Sequence, residues 1–182
     1  FRRYIMENLI MVTAVSVLFV FGCSNGGSDG GPAAPEEPTI DGVWTGTSMT
    51  TSISPASHPV VALMVAYLNQ PYAITASFST ANGVSCTLTS TDSGAYELLS
   101  GSFSGSTFAL SGTYSSVAVL TGIEADGVLY DLYLHTSSFS GTMSGDSITG
   151  TWGSSYNVTY SASGDAAGVI TTSDRVTLAR GK

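Results

Sequence analysis

From Tyr72 onward, apolar and polar side chains alternate. Tyr72, Ile74, Ala76 and Phe78 are offset by Ala73, Thr75, Ser77 and Ser79, the period of two expected of a strand with one face in a core. Val84, Cys86 and Leu88 alternate with Ser85, Thr87 and Thr89, and Val128, Tyr130, Leu132 and Leu134 with Leu129, Asp131, Tyr133 and His135. Turn-forming residues separate such runs: Asn69-Gln70-Pro71, Asn82-Gly83, Asp92-Ser93-Gly94, Ser104-Gly105, Asp126-Gly127, Gly145-Asp146 and Gly164-Asp165. Glycine adopts positive φ without a clash, and Asn and Asp side chains bond to the neighbouring backbone. Short strands joined by tight turns predict an all-β fold.

A longer pattern refines that expectation. Ser100-Gly101-Ser102-Phe103-Ser104-Gly105-Ser106, running on to Ser111-Gly112-Thr113-Tyr114, is echoed by Ser140-Gly141-Thr142-Met143-Ser144-Gly145-Asp146, running on to Thr149-Gly150-Thr151-Trp152. Each copy predicts a hairpin with a Ser-Gly turn and a strand glycine placed before a large apolar residue. Ser/Gly-rich strand composition also repeats of its own accord. Successive hairpins imply up-and-down connectivity and an antiparallel β-barrel of about 8–10 strands, with a β-sandwich as the alternative. The strand glycines are then the sharp-bend positions of a small barrel. Val60 to Leu68 breaks the alternation, being apolar on both faces. A strand with its outer face under the Ile53–Pro59 loop is the favoured reading; a partner surface and a short buried helix also fit.

The first 38 residues follow other rules. An apolar run from Leu9 to Gly22 sits behind Arg2 and Arg3, the order of a secretory signal. It falls short of the roughly 20 residues a spanning helix needs. Ser24 to Pro38 is Gly, Ser, Pro, Ala and Glu without apolar periodicity, a composition that cannot bury enough surface to order itself. The chain of 182 residues therefore divides into a signal segment over 1–22, a cysteine-led flexible linker over 23–38, and one β-domain over 39–182.

Val20-Phe21-Gly22-Cys23 resembles the bacterial lipobox. That resemblance implies a diacylglyceryl group on the Cys23 thiol, cleavage before Cys23, and a membrane anchor of two or three acyl chains, firmer than one. Ser24, in place of an aspartate after the cysteine, points to the outer membrane. Asp41-Gly42-Val43-Trp44-Thr45-Gly46 together with Val176-Thr177-Leu178-Ala179-Arg180 is similar to the calycin-type barrels, the group of lipocalins and avidins. Those barrels open with Gly-x-Trp and place a basic residue near the end of the last strand. The resemblance implies that Gly42, Trp44 and Arg180 close one end of the barrel, the guanidinium lying across the indole. The avidin biotin residues are not in register, so no biotin site is implied.

Charge and chemistry narrow the function. The net charge is −8 with 5 Lys and Arg, which opposes binding to a phosphate backbone and adsorption on anionic lipid. Cys86, left alone once Cys23 is acylated, reads as a small buried hydrophobe. His58 and His135 are far apart and read as surface residues, and there is no Gly-x-Ser-x-Gly elbow, zinc spacing, calcium loop or phosphate loop. No catalytic residue, metal or cofactor is expected. Two functions remain, of which the first is favoured and the second is the alternative. In the first, the barrel holds a small hydrophobic ligand against Phe78, Phe108, Leu110, Tyr130 and Leu132. In the second, the barrel is filled by its own side chains and docks an envelope protein, with the Val60–Leu68 run and Tyr133 as candidate contacts.

Overall fold

The structure is a computed structural model that describes residues 39–90 and 96–181. The signal segment, Cys23, the linker and the Asp92-Ser93-Gly94 turn lie outside the described residues.

Eight antiparallel strands form a closed barrel in sequence order: β1 (Gly42–Ser54), β2 (Pro71–Ser79), β3 (Val84–Ser90), β4 (Tyr96–Ser104), β5 (Thr107–Ala125), β6 (Val128–Ser144), β7 (Ser147–Tyr160) and β8 (Ala166–Arg180). Closure is made by β8 against β1, from Trp44 opposite Arg180 to Ser54 opposite Thr171. The barrel, rather than the sandwich, is the fold. The repeated Ser/Gly stretches form the β4–β5 and β6–β7 hairpins, turning on Gly105 and Gly145 at φ 60° and 57°. Asp126 and Gly127 both take positive φ in the β5–β6 turn, the combination a tight two-residue hairpin of this twist requires.

The strands differ in length, and that shapes the molecule. β2, β3 and β4 have 9, 7 and 9 residues, whereas β5 to β8 have 14 to 19. Pairing of β1 with β2 stops at Met49 opposite Pro71, while β1 continues along β8 to Ser54. At the end where Trp44 and Arg180 meet, here the latched end, all the strands contribute. Toward the opposite end, the rim, β5 to β8 and β1 run on beyond their shorter neighbours. Helix α1 (Pro59–Met64) and a 3₁₀ turn (Val65–Tyr67) lie in the β1–β2 connection, with α1 packed against both β1 and β5.

The favoured reading of Val60–Leu68 as a strand is thus replaced by helix. Pro59 occupies the start of the helix, where its missing N–H costs nothing, and the His58 side chain accepts from Val60 N at 3.3 Å. Val60 and Val61 face inward, while Leu63, Val65 and Tyr67 face solvent. Only one face of the run meets the core; the other is apolar and exposed.

Candidate functional site

The barrel interior is stacked in three layers. The lowest is apolar: Trp44, Ile74, Phe78, Leu99, Phe108, Phe139, Ile148 and Leu178 belong to one buried cluster. Phe108 meets Phe139 edge-on at 4.8 Å between centroids and Phe78 at 5.4 Å. The uppermost layer, beneath α1, is a separate cluster of Val60, Val61, Ala125, Tyr130, Leu132, Val158 and Ile170. Apart from both clusters, the buried polar residues Ser48, Glu97, Ser137, Ser154 and Asp174, with half-buried Tyr72, form a polar belt.

The latch at the base of the lowest layer joins Trp44 of β1 and Arg180 of β8 to the segment before β1 and the β6–β7 turn. The Arg180 guanidinium stands 4.4 Å from the centroid of the Trp44 ring. Arg180 Nη1 donates to the Asp41 carbonyl at 3.0 Å, Nη2 donates to the Thr39 carbonyl, and Nε faces Asp146 Oδ1 at 3.3 Å. The planar fork satisfies carbonyls on the incoming chain while its face covers the indole. Trp44 is fully buried, and its Nε1 donates to the Ile40 carbonyl at 2.8 Å. Asp41 accepts from Thr80 N and Thr80 Oγ1, both at 2.6 Å, and the Thr80 bond is the main cause of its lowered pKa. Gly42 sits at φ 113°, a conformation L side chains rarely adopt, and a Cβ there would lie 3.9 Å from Arg180 Nη1.

The belt holds two carboxyl groups within the barrel. Asp174 accepts through Oδ2 from Ser48 Oγ at 3.1 Å and from the Tyr72 hydroxyl, while its Oδ1 is buried without a hydrogen-bond partner. Trp152 Nε1 donates to both Glu97 Oε2 at 3.0 Å and Ser137 Oγ at 2.8 Å. Burial pushes the Tyr72 hydroxyl upward, assisted by the Asp174 charge, and raises Tyr156 to about 12. Burial also pushes the Cys86 thiol up to about 12, keeping it in the unreactive thiol form.

Burial raises the Glu97 carboxyl above 4.5, against the opposing hydrogen bonds from Ser137 and Trp152, and the Asp174 charge pushes the same way. An acid with a raised folded pKa binds its proton more tightly in the native state. Its stabilising contribution is complete below the unfolded pKa and is lost as pH rises through the folded value. Glu97→Gln keeps an acceptor for Trp152 and removes the charge. We expect the variant to gain stability relative to the wild-type chain as pH rises above about 4.5, read as a urea midpoint that falls less steeply with pH. Parallel midpoint curves for the two proteins would show that Glu97 does not titrate with the fold.

Phe78, Phe108 and Leu110 lie in the lower cluster, and Tyr130 and Leu132 in the upper one. The two clusters are separate, so the five do not share one wall. An open recess of about 300 Å³ lies elsewhere, lined by Tyr114, Tyr133, Leu134, Asn157, Thr159 and Gly164. His58 caps α1, and His135 is exposed. Among the described residues no group of three or more His, Cys, Asp or Glu gathers to hold a metal, and no helix is long and apolar enough to cross a membrane. Glu97 and Asp174 were not singled out in the sequence, although a signal was present. Asp174 falls in phase with inward Ile170, Val176 and Leu178, and Glu97 in phase with Leu99.

Searches of family models, curated proteins and solved structures gave no significant match to this chain.

Proposed function

We propose that the protein is a lipid-anchored envelope lipoprotein of lipocalin-like build whose barrel is a scaffold filled by its own side chains, and which docks a protein partner on its outer surface. The observation that supports this most is the state of the five proposed lining residues. Phe78, Phe108, Leu110, Tyr130 and Leu132 are 1–6% exposed, and the two phenylalanines pack against each other and Phe78 and Phe108 both against Phe139. A ligand cavity of drug-like size needs about 300 Å³ of space free of protein atoms, and these side chains spend their surface on one another instead. The small-ligand reading would require the phenylalanines to move apart.

The anchor supplies confinement. Two or more acyl chains on Cys23 would hold the barrel at the membrane, where even a weak docking contact is favoured by high local concentration. Photo-crosslinking residues placed across the outer surface, in cells that produce the chain, should trap one dominant protein. A diffuse set of products of similar yield would overturn the docking function. Native mass spectrometry that finds the same small molecule in every preparation would restore the ligand function in its place.

A further inference from the structure

We propose that the rim end of the barrel is the docking surface and that it takes a cationic, amphipathic segment of another protein. This rests on the docking function above and adds its place and its chemistry.

The distribution of exposed apolar side chains is one-sided. Among the described residues, seven of the eleven large exposed hydrophobes lie in the α1 connection or at strand ends on the rim; Leu98, Val117 and Val119 lie along β4 and β5, and Val43 near the latched end. Leu63, Val65 and Tyr67 project from α1 and the 3₁₀ turn, Leu129 from the start of β6, Tyr160 from the end of β7 and Val169 from the start of β8. Val65 and Tyr67 are 51% and 55% exposed. Single exposed hydrophobes are ordinary, whereas their concentration on one end marks an interaction surface.

The elements that carry this group are joined beneath it. The Tyr160 ring stands 5.5 Å from Tyr130, whose other neighbour is His58 at 5.7 Å, the cap of α1. Ser161 N donates to the Leu129 carbonyl at 2.9 Å, which ties the β7–β8 turn to the start of β6. These contacts tie the start of α1 to the two rim turns through Tyr130.

Charge selects the occupant. Glu124, Asp126, Asp131 and Asp165 stand in or beside the rim turns. The arginines of the described residues are Arg175, opposite Met49 and Thr151, and Arg180, engaged in the latch; neither is at the rim. Anionic lipid is repelled by this arrangement, and a second copy of the chain would bring the same acids face to face. A segment with an apolar stripe and Lys or Arg beside it satisfies both features: the stripe covers Val65, Tyr67 and Tyr160, and the cations meet the acids.

The test uses the full-length chain in neutral detergent and a Leu/Lys peptide with one apolar face, beside a Leu/Glu peptide of the same pattern. The Leu/Lys peptide should bind saturably and the Leu/Glu peptide should not. Val65→Ser combined with Tyr67→Ser should weaken binding at least about tenfold. Glu124→Gln with Asp126→Asn and Asp165→Asn should do the same and reduce the salt dependence; asparagine tolerates the positive φ of position 126. Val43→Ser, at the other end, should leave binding unchanged. Equal binding of the Leu/Glu peptide, or binding unaffected by the charge variant, overturns the proposal. Attachment to phosphatidylglycerol vesicles that the Val65/Tyr67 variant abolishes also overturns it, in favour of a lipid surface. If the peptide fails while a crosslinker at Tyr67 still traps a single protein in cells, the cationic chemistry is wrong and docking stands. If no surface position traps a dominant protein, docking itself fails.

Discussion

Gly46→Ala should destabilise the barrel by at least about 3 kcal/mol, the upper part of the usual range for overpacking. A Cβ at position 46 would sit 2.0 Å from the Thr177 carbonyl oxygen and 2.8 Å from Leu178 Cα. Both atoms are backbone, so no side-chain rotation relieves the clash. Position 46 pairs with Ile74 on one side and Leu178 on the other, which places it at the seam where the last strand meets the first. Relief would come only by drawing β1 away from β8, with loss of the ladder bonds that close the sheet. Chemical denaturation checks this directly. Gly153→Ala is the matched control: its nearest neighbour is the Ser138 hydroxyl at 3.3 Å, a side chain that can turn aside, so its cost should be below about 1 kcal/mol. A Gly46→Ala protein as stable as the wild-type chain would mean that β1 and β8 do not approach as described.

Trp44→Ala should cost about 3–5 kcal/mol, the range for removing a buried Trp or Phe. Three losses combine: the indole volume at the base of the lower cluster, the hydrogen bond to the Ile40 carbonyl, and the face on which Arg180 rests. The ring–guanidinium contact adds about 0.5–2 kcal/mol depending on its exposure to water. A double-mutant cycle with Arg180→Ala isolates that part, because the two side chains touch and their effects should fail to add. Trp44→Phe should fall between, retaining apolar burial while leaving the Ile40 carbonyl without its donor. Additive behaviour of Trp44→Ala and Arg180→Ala would show that the latch is two independent contacts and not a unit.

The strands were the most legible part of this chain. In β2, inward Ile74, Ala76 and Phe78 against outward Ser and Thr leave one register that buries the apolar face, since a slip of one residue would reverse it. The hairpin turns were equally legible, because the conformations at Gly105, Asp126 and Gly127 suit few other residues. The Val60–Leu68 run was not. Alternation cannot tell a strand covered on both sides from a helix lying across a gap, and the gap exists only because β2 to β4 are shorter than their neighbours. The belt was legible only in part: phase marks Glu97 and Asp174 as inward, but not which groups they meet. Glu97 and Asp174 are ordinary polar letters in Ser/Thr-rich strands, and only closure of the sheet brings Ser48, Tyr72 and Asp174 from different strands into hydrogen-bonding distance.

Local chemistry thus determined what the described part of this protein is made of: antiparallel strands and the tight turns that join them. These follow from side-chain periodicity and backbone sterics, which act over a few residues and can be read along a line. The tertiary structure decided what lies inside the barrel and what is left outside. Whether Phe78 and Phe108 line a cavity or fill it depends on how far apart distant strands are held, and on which face of a short helix the rim exposes. Those are properties of a closed surface in three dimensions, set by strand length and closure at the β1–β8 seam.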